Sequence, residues 1–149
     1  MTNIKELIQF AIKKEKEAYE LYSGFANKTK NPAAKKLLEE LAEEELGHKD
    51  TLENLSEPEK LFNFKIESVQ DLKLSDHLVA HTIDENSDIQ SVLTFAMKAE
   101  KAAFDLYTKM SEAAVDEKNL SLFQQLAQME LIHKNKLESL YEDMFYSDN

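Results

Sequence analysis

The sequence predicts an all-α protein, a four-helix bundle built from two repeated helical hairpins with a long crossover between them. Three observations carry this prediction. Gly and Pro number 2 each in 149 residues, while 32% of residues are charged, so turn formers are scarce and good helix formers abundant. Four long segments place apolar residues in steps of three and four, the spacing of one helix face. One helical hairpin also occurs twice: FAIKKEKEAYELY (10–22) matches FAMKAEKAAFDLY (95–107), and LAEEELGHK (41–49) matches LAQMELIHK (126–134), both at a separation of 85 positions. A repeat that keeps its spacing without a gap is one structural unit used twice. Two such hairpins can pack about a pseudo-two-fold axis, each covering the other's apolar face. The length suits one domain, 1–149, around one sizeable core.

The first helix is expected from about Asn3 to Asn27, with Asn3 and Glu6 spaced as a capping box. The second starts at Asn31 as N-cap with Pro32 at the first helical position, and runs to about Ser56, before Pro58. The third starts near Ser87, where Ser87 and Gln90 again fit a capping box, and runs to about Ala114. The fourth runs from about Asn119 to Phe145. Short polar turns join the first helix to the second and the third to the fourth, so each pair is an antiparallel hairpin. Between the pairs, Glu57 to Asn86 carries mixed apolar residues and no helical period before Asp76. It reads as a crossover lying along the bundle, with room for one short helix.

Composition narrows the function. The net charge of −11 argues against nucleic acid, whose phosphates need a basic face, and against an anionic membrane surface. It suits cations, though most of these charges do no more than keep a surface solvated. There is no Cys, which removes disulfides, thiolate catalysis, zinc fingers and any thiolate iron site. The first twelve residues lack the apolar core of a signal peptide, and no apolar run is long enough to span a membrane. The expectation is a cytoplasmic protein.

The chemistry lies in the core stripes. The second helix presents Leu38, Leu41, Glu45, His48, Leu52 and Leu55 on one face, and the fourth Phe123, Leu126, Glu130, His133, Leu137 and Leu140. The first presents Ile8, Ala11, Glu15, Ala18, Tyr22 and Phe25, and the third Leu93, Ala96, Glu100, Ala103, Tyr107 and Met110. Each stripe is interrupted near its middle by a carboxylate, twice with a His one turn on. A buried ionised carboxylate without a partner costs several kcal/mol or more, and four at one level also repel one another. None of the stripes contains Lys or Arg, so metal is the natural counter-charge. Two divalent ions balance four carboxylates; two trivalent ions with an oxide between them do as well. The i, i+3 spacing lets Glu and His of one turn grip the same ion, and a Glu from each other helix can bridge two ions. Two Glu plus two Glu-x-x-His is the known ligand pattern of di-metal carboxylate bundles. Mixed carboxylate and imidazole ligands suit iron or manganese, calcium less, and do not exclude zinc. The candidate metal ligands are thus Glu15, Glu45, His48, Glu100, Glu130 and His133. The competing reading is a duplicated bundle whose buried polar residues satisfy one another.

Tyr22 and Tyr107 follow the first- and third-helix carboxylates by two turns on the same face. They are the candidate catalytic residues, placed to hydrogen-bond the ligand carboxylates; the alternative is a core aromatic with a wet hydroxyl. Glu17, Glu20, Glu43, Glu44, Glu53 and Glu138 fall off the stripes and read as surface. Lys49–Glu53 and Lys134–Glu138 read as surface i, i+4 pairs. His77 and His81 share that spacing but have no third ligand in register.

Glu15, Glu45-x-x-His48, Glu100 and Glu130-x-x-His133 resemble the rubrerythrin-like branch of the ferritin-like superfamily, over all four helices. The resemblance implies a ferritin-like bundle with a pair of iron ions that reacts with hydrogen peroxide or dioxygen in defence against oxidative stress. It also implies an external electron donor such as a rubredoxin-like protein, because rubrerythrins proper carry a four-Cys rubredoxin domain and this chain has no Cys. They also carry an extra Glu one turn after the third-helix ligand, which takes part in a redox-linked change of coordination. Here that position is Ala103, which implies a more nearly symmetric site. The leading expectation is an oxidoreductase, with a ferroxidase or iron-storage protein and a non-enzymatic metal-binding bundle as alternatives. A homodimer is expected from the prevalence of two-fold oligomers.

Overall fold

The structure, a computed structural model, describes residues 4–55, 64, 83, 84 and 86–146. It is a four-helix bundle: α1 Ile4–Lys28, α2 Pro32–Leu55, α3 Ile89–Ala113 and α4 Glu117–Phe145. The helices pack chiefly as two hairpins, α1 with α2 and α3 with α4, with sparser packing of α2 on α4 and α1 on α3. The turns at 29–31 and 114–116 are as short as expected. No described helix is long and apolar enough to cross a membrane.

Helix starts follow side chains that accept from otherwise unpaired backbone N–H groups. Asn31 Oδ1 accepts from Ala34 N at 3.0 Å, as its position before Pro32 predicts. Two starts differ from expectation. The third helix is capped by Asp88, whose carboxylate accepts from Ser91 N at 2.7 Å. Ser87 is occupied one step earlier, its hydroxyl accepting from Asp84 N in the preceding turn. The fourth helix begins after Asp116, which accepts from Asn119 N, so Asn119 lies inside the helix and is buried. In both places an ionised Asp, the stronger acceptor, outcompetes the neutral cap. The capping box at Asn3, the short helix after Asp76 and the His77–His81 pair lie outside the described residues.

The stripes are buried as their spacing requires, with the exception of Ala18 and Ala103, which are half-buried. The interior is not one continuous core. One apolar cluster joins Leu7, Ile8, Leu52, Leu106, Met110 and Phe123; a second joins Phe25, Leu38, Leu41, Leu93, Leu137 and Leu140. The polar layer at mid-height lies between them. Phe64, from the crossover, is buried in the first cluster, meets Phe123 edge-on and makes an antiparallel bridge with Ala114, so at this point the crossover lies on the bundle. On the surface, Lys49–Glu53 and Lys134–Glu138 pair as expected. Exposed pairs of this kind contribute little to stability.

Candidate metal centre

All six predicted ligands converge. Glu15, Glu45, Glu100 and Glu130 are 1–2% exposed, His48 is 9% and His133 0%. One atom from each of Glu15, Glu45, His48 and Glu130 lies within 4.8 Å of the others; Glu45, Glu100, Glu130 and His133 form a second such group. The two imidazoles stack nearly parallel, with ring centroids 5.7 Å apart.

The two groups share Glu45 and Glu130. The sequence pattern suggested that Glu15 and Glu100 would be the shared carboxylates; the structure places each of these in one group only. Each Glu-x-x-His reaches across the bundle. His48 Nδ1 is 2.8 Å from Glu130, and His133 Nδ1 is 2.8 Å from Glu45, closer than either ring comes to its own helix's carboxylate, at 3.6 and 4.0 Å. Carboxylates facing each other from the two His-bearing helices occupy the middle of the layer, and those of α1 and α3 stand at its sides.

This arrangement does not satisfy itself. Glu15 Oε2, Glu45 Oε1, His48 Nδ1, Glu100 Oε2, both oxygens of Glu130 and His133 Nδ1 are buried without a hydrogen-bond partner. Buried polar groups are rarely left so, and here they all face one small volume. Burial, followed by repulsion from the neighbouring carboxylates with Glu100 foremost, pushes Glu45 and Glu130 well above the usual carboxylate range. Burial opposes ionisation of Glu15 too, but the neighbouring His48 and Glu45, together with the Tyr107 hydroxyl, outweigh it and hold that group low. Cations at the two groups would partner the orphaned atoms and remove the repulsion together. The donors, mixed carboxylate and imidazole, fit iron or manganese.

Tyr22 and Tyr107 are both buried, so their hydroxyls are not wet. Tyr22 donates to Glu100 at 2.6 Å, and Tyr107 to Glu15 at 2.5 Å. Each tyrosine therefore serves the carboxylate of the opposite hairpin, a crossing that spacing along one helix cannot show. Burial, together with the carboxylate each faces, raises both hydroxyls well above their usual range, so they remain donors. Tyr107→Phe is expected to cost about 1.5–3 kcal/mol of stability, the range for hydrogen bonds to charged groups, and Tyr22→Phe a similar amount. Urea unfolding measures it, and losses below about 0.5 kcal/mol would show that the hydroxyls do not hold the carboxylates.

One residue at the centre was not anticipated. Glu44, assigned to the surface by its position beside the stripe, is partly buried and bonds Nε2 of His133. The repeat held a signal for it, because Glu44 has no acidic counterpart in the second hairpin. Burial disfavours charge on His133, but Glu100 and Glu44 outweigh it and raise the group above its usual value. A partly open cavity of about 380 Å³ meets the layer from the α1/α3 side. It is walled by Phe10, Ala18, Leu21, Phe95, Ala99 and Ala103 and reaches Glu15, Glu100, Tyr22 and Tyr107. Ala18 and Ala103 line it, which is why these two stripe positions stay half-buried.

A family model for rubrerythrin matches residues 1–56 and 91–149. The chain belongs to the rubrerythrin family. The unmatched residues 57–90 cover the crossover and the first residues of α3, so the rubrerythrin match rests on the remainder of the four helices. Among solved structures, this rubrerythrin-family chain is similar to a hypothetical protein from Pyrococcus furiosus, with 30% sequence identity and a TM-score of 0.71 over 93% of this chain and 87% of that one. No match was found among the curated proteins.

Proposed function

We propose that the chain binds two iron ions and uses them to reduce hydrogen peroxide or dioxygen, with electrons returned by a separate donor protein. The observation that carries this reading is the set of unpartnered buried ligand atoms arranged as two four-residue groups with two carboxylates in common. Glu45 and Glu130 would span both ions. Glu15 with His48, and Glu100 with His133, would complete the two ends.

A pair of ferrous ions, if held by these residues, would supply the two electrons that, with two protons, convert peroxide to two waters. The protein's part is positioning and exclusion. Tyr22 and Tyr107 fix the lone pairs of Glu100 and Glu15. The apolar clusters above and below the layer keep bulk water from its ends, and the cavity beside Ala103 offers a small oxidant a route to the carboxylates. Rubredoxin-type iron needs four thiolates and this chain has none, so re-reduction falls to a rubredoxin-like or equivalent donor.

The test is anaerobic loading with ferrous iron followed by stopped-flow mixing with hydrogen peroxide. Near-ultraviolet ferric absorption should grow within seconds, with one peroxide consumed per two irons. Iron that binds two per chain yet consumes neither peroxide nor dioxygen would leave a purely structural metal site.

A further inference from the structure

The 85-position repeat maps the centre onto itself: Glu15 on Glu100, Tyr22 on Tyr107, Glu45 on Glu130 and His48 on His133. One contact breaks the symmetry. Glu44 of α2 holds Nε2 of His133, but the residue 85 positions after Glu44 is Met129, an uncharged thioether and a weak acceptor. His48 thus lacks the carboxylate that a faithful repeat would have supplied. The burial of the rings follows the same division, since the His133 side chain is fully buried and that of His48 is 11% exposed.

With Nε2 held by Glu44, His133 Nδ1 is the nitrogen left to face a cation: it makes no hydrogen bond and lies 2.8 Å from Glu45, 3.6 Å from Glu100 and 4.0 Å from Glu130. A carboxylate behind a ligating imidazole fixes its tautomer, locks its orientation and raises its basicity. Glu44 also places a further negative charge behind one end of the layer, where a cation gains from it.

We propose that Glu44 makes the two metal positions unequal, so that the position flanked by Glu100 and His133 takes a divalent transition-metal ion first and holds it more tightly than the position flanked by Glu15 and His48. The inference rests on the two-ion reading above. Glu44 acts through His133 and is a positioning residue. The position at His48 is then the one that fills last and empties first, which makes it the exchangeable end of the centre.

Titration of the metal-free protein with cobalt(II), followed by visible absorption and calorimetry, tests this without any turnover. The wild type should bind in two resolved steps whose affinities differ by about 10–100-fold, the range for such carboxylate partners. Glu44→Met should weaken the first step by that factor and bring the two together, while Glu44→Gln, which keeps an acceptor but loses the charge, should fall between. Met129→Glu supplies the missing carboxylate at a half-buried position and should tighten the second step instead. Far-ultraviolet circular dichroism checks that each variant is helical, and the two Glu44 variants carry the test if Met129→Glu does not fold. Two equal steps in the wild type, or two unchanged steps in Glu44→Met, would overturn the inference while leaving a two-ion centre. A protein that binds fewer than two cobalt ions overturns the two-ion reading itself.

Discussion

Replacing Glu130 with Gln is expected to empty the centre of metal and, at the same time, to make the metal-free protein more stable. Glu130 belongs to both four-residue groups, so its loss damages both positions, whereas a change at Glu15 or Glu100 damages one. Without metal, burial and then repulsion from Glu100, Glu45 and Glu15 hold Glu130 protonated well above the ordinary carboxylate value of 4.5. Keeping that proton costs stability that grows with each pH unit above the unfolded value, for as long as the folded group stays protonated. Gln is isosteric with the protonated acid and pays no such cost. The metal-free form of the variant should therefore have a higher Tm than the metal-free wild type at neutral pH. Metal content by mass spectrometry on protein purified without air should fall from about two ions per chain to well under one, as expected when a shared ligand is lost. Glu45→Gln should behave alike. Normal metal content in either variant would contradict the assignment of these two residues as the shared ligands, and a lower metal-free Tm would contradict the repulsion.

The second large effect is the influence of pH on the metal-free and metal-loaded forms. Glu45 and Glu130 are raised above 4.5, chiefly by burial and then by neighbouring carboxylates. Below 4.5 both groups are protonated in the folded and unfolded chain and cost nothing. Above it the unfolded chain releases protons that the folded chain retains, so stability falls as pH rises until the folded groups themselves titrate. His133 acts in the same direction. Its raised value means that its contribution is complete below 6.5 and is lost as pH climbs through the folded value. Glu15 has the opposite sign: it is held low, its contribution is complete above 4.5, and it is lost only on acidification through its lowered folded value. It therefore leaves the window above pH 5 unchanged.

The metal-free protein should accordingly melt at progressively lower temperature between pH 5 and pH 8. The metal-loaded protein should not, because ions replace the protons and bind better as the ligands deprotonate. At neutral pH, metal removal should lower Tm by on the order of 10 °C or more, given ions bound well above their dissociation constants. Thermal melts of both forms at four pH values measure the gap, which should widen with pH. A gap that is absent, or that narrows with pH, would mean that the layer does not need cations.

Much of this centre was legible in the sequence. The apolar periodicity defines four stripes, each stripe holds one carboxylate at the same level, and the repeat shows that the coincidence occurs twice. Residues three and four apart on a helix must share a face, so Glu45 with His48 and Glu130 with His133 could be read as pairs before any packing was known. The helix starts at Asp88 and Asp116 were less legible, because adjacent Ser, Asn and Asp compete for the same N–H groups and side-chain charge decides between them.

Periodicity along one helix states which face and which height a side chain occupies, and that is enough to read four rods, six candidate ligand side chains at mid-height, and charge enough for two ions. It carries no distance between rods. Which carboxylates stand in the middle of the layer, the reach of Tyr22 and Tyr107 to the opposite hairpin, the attachment of Glu44 to His133 and the opening beside Ala103 were decided only when the hairpins packed. Each depends on separations of a few ångströms across a helix interface, and these are set by the summed volumes of side chains far apart in the chain.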